Sequence, residues 1–165
     1  GHVEVVKLLL TDSRVGPSVI DNYAIEFASE NGHEGVVKLL LADSRVDPSA
    51  QDNYAIRWAS VNGHVEVVKL LLADSRVDPS VIDNYAIKFA SENGHEDVVK
   101  LLLADSRVDP SAQDNYAIRW ASVNGHADVV KLLLADSRVD PSVIDNYAIK
   151  FASENGHEDV VKLLL

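Results

Sequence analysis

The chain has 165 residues, 47% apolar and 25% charged, with a formal net charge of −11; it is long enough for one packed domain and too apolar for a disordered polymer. Such acidity opposes binding to phosphate backbones and anionic membranes and favours a basic protein partner, and no apolar run nears the ~18 residues of a membrane-spanning helix. The absence of cysteine excludes disulfides, thiolate metal sites and a cysteine nucleophile, and the absence of methionine means that Gly1 is not a translation start, so the sequence reads as a fragment or a processed product.

A segment Gly-His-x-x-Val-Val-Lys-Leu-Leu-Leu begins at Gly1, Gly32, Gly63, Gly94, Gly125 and Gly156, a period of 31 residues. Residues 1–18 are a half-unit, full units follow at 19–49, 50–80, 81–111 and 112–142, and 143–165 is a last unit without its connecting loop. The whole of 1–165 reads as one array.

Unit 50–80 stands for the rest. Its first helix is expected over about Asp52–Ser60, with Asp52 or Asn53 as N-cap, because a short side-chain oxygen can accept a free first-turn N–H. Ala55, Ile56, Ala59 and Ser60 form a mostly small face that lets a neighbouring helix come close, and Trp58 supplies bulk. Asn62-Gly63 ends that helix, since glycine tolerates the left-handed conformation past a helix terminus.

A second helix is expected over about His64–Ala73. Lys69 is the only polar residue between Val67 and Leu72, so apolar groups cover most of its circumference and it needs neighbours on several sides. The link from Asp74 to Ser80 is polar and turn-like, and Pro79 disfavours a helical Asp78. No unit buries enough to fold alone, so stacking must build one core from nearest-neighbour contacts.

Gly63-His64-x-x-Val67-Val68-x-Leu70-Leu71-Leu72, preceded by Ala59-Ser60, resembles the ankyrin repeat, and the likeness covers essentially the whole chain. The period is two short of the family's usual ~33 residues, and Tyr54-Ala55-Ile56-Arg57 replaces the family's Thr-Pro-Leu-His opening. The resemblance implies an all-α ankyrin-repeat solenoid of stacked helix-turn-helix units with short, reduced hairpin loops. It implies a non-catalytic interaction module or scaffold without cofactor, in an intracellular setting. It also implies that a protein partner docks on a concave face carrying Asn53, Arg57 and Val61, with their equivalents Asn84, Lys88, Glu92, Asn115, Arg119 and Val123.

Alternate units are more alike than neighbours. One type reads Val-Ile-Asp-Asn-Tyr-Ala-Ile-(Glu/Lys)-Phe-Ala-Ser-Glu, the other Ala-Gln-Asp-Asn-Tyr-Ala-Ile-Arg-Trp-Ala-Ser-Val. Copying of a two-unit block explains this without selection for stripes; the alternative is a surface striped every second unit that binds a periodic ligand. Departures at Thr11, Gly16, Glu26 and Gly35 fit drift after duplication and favour a natural origin over an engineered consensus scaffold without a native ligand. A structural spacer or self-assembling segment is a further alternative, because the repeats are nearly identical and the apolar segments Gly1–Leu10 and Gly156–Leu165 stand at the ends with nothing to cover them.

The six histidines all belong to Gly-His. Equivalent residues on adjacent repeats stand about 8–10 Å apart, too far to share a metal that needs donors at ~2 Å. They are expected to be structural, as are the repeated loop acids Asp74 and Asp78 and the Asp83 of the next turn. Arg76 is expected to balance loop charge with little effect on stability. Trp58 and Trp120 match a buried leucine of the family and are expected to pack in the core.

Overall fold

The computed structural model describes residues 1–165 and contains eleven α-helices and no strand. Two compact units divide the chain at Pro79 and Ser80. The unit Gly1–Pro79 holds α1 (Val3–Leu10), α2 (Val19–Glu30), α3 (Glu34–Leu41), α4 (Ala50–Val61) and α5 (Val65–Leu72). The unit Ser80–Leu165 holds α6 (Val81–Glu92), α7 (Glu96–Leu103), α8 (Ala112–Val123), α9 (Ala127–Leu134), α10 (Val143–Glu154) and α11 (Glu158–Leu164).

In the first unit α2 packs on α3 and α4, α4 packs on α5, and α3 touches α1 and α5. In the second, α8 lies between α6 and α10 and also packs on α9, while α9 touches α7 and α11. Each unit is therefore two layers, one of first helices and one of second helices. The layers exist because each helix buries a defined face. Ala86, Ile87 and Ala90 of α6 are fully buried, as are Ala117, Ile118 and Ala121 of α8, and the alanines allow close helix approach. Second helices contribute Val98, Val99 and Leu102, then Val129, Val130 and Leu133. Each buried isoleucine or leucine stabilises the fold by about 1.5–3 kcal/mol. The flanking Leu101, Leu103, Leu132 and Leu134 are only half-buried, so the second helices are less evenly covered than their composition implies.

The start of each first helix differs from expectation. Asp52 and Asn53 do not cap it. Gln51, Asp52 and Asn53 adopt φ of 49°, 53° and 56°, one left-handed turn ahead of the right-handed run. The same turn recurs in all five repeats, and in three of them it begins with an isoleucine: Ile20, Ile82 and Ile144. A β-branched residue at positive φ is strained; in the repeats whose turn begins with Gln51 or Gln113, side-chain bonds brace the turn. Asp109 accepts from the Ser111 N–H and hydroxyl at 2.9 and 2.7 Å ahead of the turn. Behind it, Arg119 Nε and Nη2 donate to the carbonyls of Asp114 and Gln113 at 2.8 and 3.0 Å, and Arg57 does the same for Asp52 and Gln51.

The loops are turns stapled to the preceding repeat. Arg76 forks onto Asp74 at 2.9 and 2.6 Å. Its Nη1 also donates to the Val46 carbonyl at 2.8 Å, and its Nη2 to the Leu41 carbonyl at the end of α3 at 3.2 Å. Arg45 reaches Val15 and Leu10, and Arg138 reaches Val108, in the same way. The arginine is thus more than a charge balance: it satisfies carbonyls that a helix end and a tight turn leave open. Its guanidinium holds the Asp43 and Asp136 carboxyls down at about 2. A lowered folded-state pKa means that this contribution is present above the ordinary value of 3.8 and is lost as pH falls through about 2. The loop also feeds the core, because Val46, Val77 and Val108 are buried although they sit among polar residues.

A candidate partner-docking face on the first helices

The Asn-Gly-His segment ties one repeat to the one before it. His126 Nε2 donates to the Glu92 carbonyl at 2.9 Å, and Asn124 Nδ2 donates to the same oxygen at 2.9 Å. His157 and Asn155 grip the Val123 carbonyl, and His64 and Asn62 grip that of Glu30, at the same distance. A carbonyl only accepts, so the proton sits on Nε2. Each clamp satisfies the last carbonyl of a first helix, which has no intrahelical partner.

With one face of each first helix committed to the core, the other carries residues at i, i+3, i+4 and i+7. On α8 these are Tyr116, Arg119, Trp120 and Val123, all half-buried. In the second unit the rings form a continuous row. Tyr85–Phe89 centroids are 4.2 Å apart, Phe89–Tyr116 5.6 Å, Tyr116–Trp120 5.8 Å, Trp120–Tyr147 6.4 Å and Tyr147–Phe151 4.3 Å. Cations are set among them: Lys88 Nζ lies 5.6 Å from the Tyr116 centroid, and the Arg119 guanidinium 5.3 Å from that of Tyr147. These distances suit cation–π attraction. In the first unit Tyr54 and Trp58 pair on α4 with centroids 5.7 Å apart. The tryptophans are therefore not core residues but half-exposed members of this face.

The nine residues assigned to a concave face fall into two groups. Arg57, Val61, Glu92, Arg119 and Val123 are half-buried and flank the rings. Asn53, Asn84, Asn115 and Lys88 are buried. The asparagines serve the scaffold: the Oδ1 of Asn53, Asn84 and Asn115 accepts from the N–H of Asp78, Asp109 and Asp140 at 2.8, 2.7 and 2.8 Å. Sequence reasoning missed the tyrosines. The signal was their i, i+4 spacing from Phe or Trp on the helix face already marked by Arg57 and Val61.

The two-unit alternation also has a contact. Tyr54 donates to Glu30 at 3.1 Å and Tyr116 to Glu92 at 2.6 Å, each across a junction where a Glu-type unit precedes a Val-type one. Burial and the acceptor carboxylate push the Tyr116 hydroxyl pKa well above its ordinary value. The junction from α8 to α10 instead uses Arg119 and Trp120 over Tyr147.

Glu26 breaks the pattern. It stands where the other repeats have Arg57, Lys88, Arg119 and Lys150, is 5% exposed, and its Oε1 has no hydrogen-bond partner. A carboxylate cannot donate to the turn carbonyls that Arg57 and Arg119 cover in their own repeats. Burial and then the nearby Asp21 raise its pKa, partly offset by Arg57. The folded state therefore holds this proton more tightly than the unfolded chain, so stability falls as pH rises from below 4.5 through the raised value. Glu26→Gln is expected to raise the urea midpoint at neutral pH and to converge with the parent chain in acid, which a pH series of urea melts checks. A constant difference across the series would contradict it.

No three histidine, aspartate or glutamate side chains lie close enough to hold a metal ion, and no helix is long and apolar enough to cross a membrane. A search of curated proteins returned no significant match. A family model described as ankyrin repeats in three copies matches residues 1–83, 57–145 and 87–165. Repeats of this family are generally protein–protein interaction modules. Helix pairs stacked in two layers, the Gly-His junction and the matches from Gly1 to Leu165 agree: the chain belongs to the ankyrin repeat family.

Proposed function

We propose that the chain is a non-catalytic scaffold that binds a protein segment along its first helices. The carrying observation is the ring row from Tyr85 to Phe151, half-exposed and interleaved with Lys88, Arg119 and Lys150. Aromatic and arginine side chains dominate binding energy at protein interfaces because they offer large contact area at low entropic cost. Glu92, Arg119 and Val123 border these rings and set local preference, as Arg57 and Val61 do beside the Tyr54–Trp58 pair of the first unit. The exposed Ile82 and Ile144, each at the strained entry turn, extend the apolar surface in every second repeat. The net charge of −11 steers a basic partner towards the chain before these contacts form.

The test is selection of peptides from a random displayed library against the immobilised chain. Selected peptides are expected to lose binding to the double variant Phe89→Ala/Trp120→Ala, with its helical signal retained by circular dichroism. Peptides that bind the variant as well as the parent would move the function off this face.

A further inference from the structure

We propose that the junction of α2 and α4 is a receptor slot for one arginine side chain of the bound partner. The slot adds a named contact to the scaffold proposed above and rests on that reading only for the source of the arginine. The repeat makes it readable. Residue 26 is glutamate where the later repeats carry Arg57, Lys88, Arg119 and Lys150. Those cations do two things. Arg57 and Arg119 donate through Nε and Nη2 to two carbonyls of their own left-handed turn. Lys88 and Arg119 also lie over the tyrosine of the next repeat, 5.6 Å from the Tyr116 centroid and 5.3 Å from that of Tyr147. Tyr116 therefore has two cations beside it, the second being Arg119 at 5.9 Å. Tyr54 is its counterpart opposite Glu26 and has Arg57 alone, at 5.7 Å.

What stands in the slot calls for a cation. Glu26 is buried, and its Oε1 has no hydrogen-bond partner. Its neighbours are committed elsewhere. The Tyr54 hydroxyl donates to Glu30 at 3.1 Å, and the Arg57 guanidinium is held by the Asp52 and Gln51 carbonyls. Charge is unbalanced in the same sense. The helices α2 and α4 set Asp21, Glu26, Glu30 and Asp52 against Arg57 alone, whereas α6 and α8 set Asp83, Glu92 and Asp114 against Lys88 and Arg119. A buried carboxylate without a partner is destabilising. A guanidinium offsets that best: it is weakly hydrated, forks onto a carboxylate with two parallel bonds and stacks on an aromatic face. In the slot it meets the Glu26 carboxylate and the Tyr54 ring. The turn carbonyls of Ile20 and Asp21, whose repeat has no cation at residue 26, are further acceptors. Every group named lies on α2 or α4, so the slot is complete within the unit Gly1–Pro79.

The probe is N-acetyl-argininamide, titrated into the full chain and read by calorimetry. The carbon-13 signal of the Glu26 carboxyl, recognised by its loss in Glu26→Gln, reports where it binds. The expected result is saturable one-to-one binding that moves this signal. N-acetyl-citrullinamide, which has the same shape without the charge, is expected not to bind. Glu26→Gln should keep the fold and weaken arginine binding about tenfold or more. Glu26→Arg fills the slot from within its own repeat, so it should abolish binding and raise the urea midpoint. The Phe89→Ala/Trp120→Ala variant should bind the arginine amide like the parent, so the slot and the ring face fail separately. The proposal is overturned by absence of saturation, by equal affinity for the citrulline amide, or by equal affinity for Glu26→Gln. It is also overturned if magnesium ion displaces the probe and moves the same carboxyl signal, which would assign the carboxylates to a metal.

Discussion

Gly125→Ala is expected to destabilise the protein clearly more than Gly156→Ala. Both glycines sit in the left-handed region, with φ of 79° and 78°, so both substitutions carry the ~1–2 kcal/mol of forcing a side chain there. Their surroundings differ. A Cβ on Gly125 would lie 2.5 Å from His157 Nδ1, whereas one on Gly156 meets nothing within 4 Å. The first substitution must push the imidazole off the Val123 carbonyl, adding about 1 kcal/mol or more for a lost and unreplaced hydrogen bond. Urea unfolding of the two variants measures the difference. Equal losses would mean that the imidazole can step aside at no cost, and the clamp would then not hold the repeats together.

Asn115→Ala should cost about 1–3 kcal/mol, because it strands the part-buried N–H of Asp140, with more added because alanine tolerates φ near 56° less well than asparagine. Asn146 provides the internal comparison. It has the same left-handed conformation, with φ of 59°, but is exposed. Asn146→Ala should therefore show only the backbone part. Thermal melts by circular dichroism resolve the two. If Asn115→Ala weakened a bound partner while leaving the melting point unchanged, the asparagine would belong to the docking face after all.

These two predictions mark where sequence and structure part. The 31-residue period, the helix pair and the buried Val-Val-x-x-Leu spine are all legible, because they rest on spacing and hydrophobicity. The His of Gly-His is legible as structural, but its partner is not, since the Glu92 carbonyl lies 34 positions away and backbone acceptors leave no mark in a sequence. The left-handed turn is hidden for a different reason. Val-Ile-Asp-Asn and Ala-Gln-Asp-Asn suggest an ordinary N-cap, and isoleucine argues against positive φ. In the repeat that begins with Gln113, the bonds from Arg119 to the turn carbonyls and from the Asp140 N–H to Asn115 hold the turn in place.

Of the candidate docking face, the helix positions were legible and the asparagine contacts were not. The ankyrin resemblance placed Arg57, Val61, Glu92, Arg119 and Val123 on a concave face, and all five are half-buried on their first helices. The same resemblance placed Asn53, Asn84 and Asn115 there. The reversed turn directs their amides to the loop instead. The tryptophans misled through the family's buried leucine: both are half-buried, and Trp120 packs beside Tyr147 of the next repeat.

Whether Asn-Gly-His clamps each repeat to the one before is read most directly from the imidazole nitrogen-15 shifts of His64, His126 and His157 at neutral pH. All three should carry a proton on Nε2 that is slow to exchange with solvent. An Nδ1–H tautomer, or rapid exchange like that of the exposed His2, would contradict the clamp.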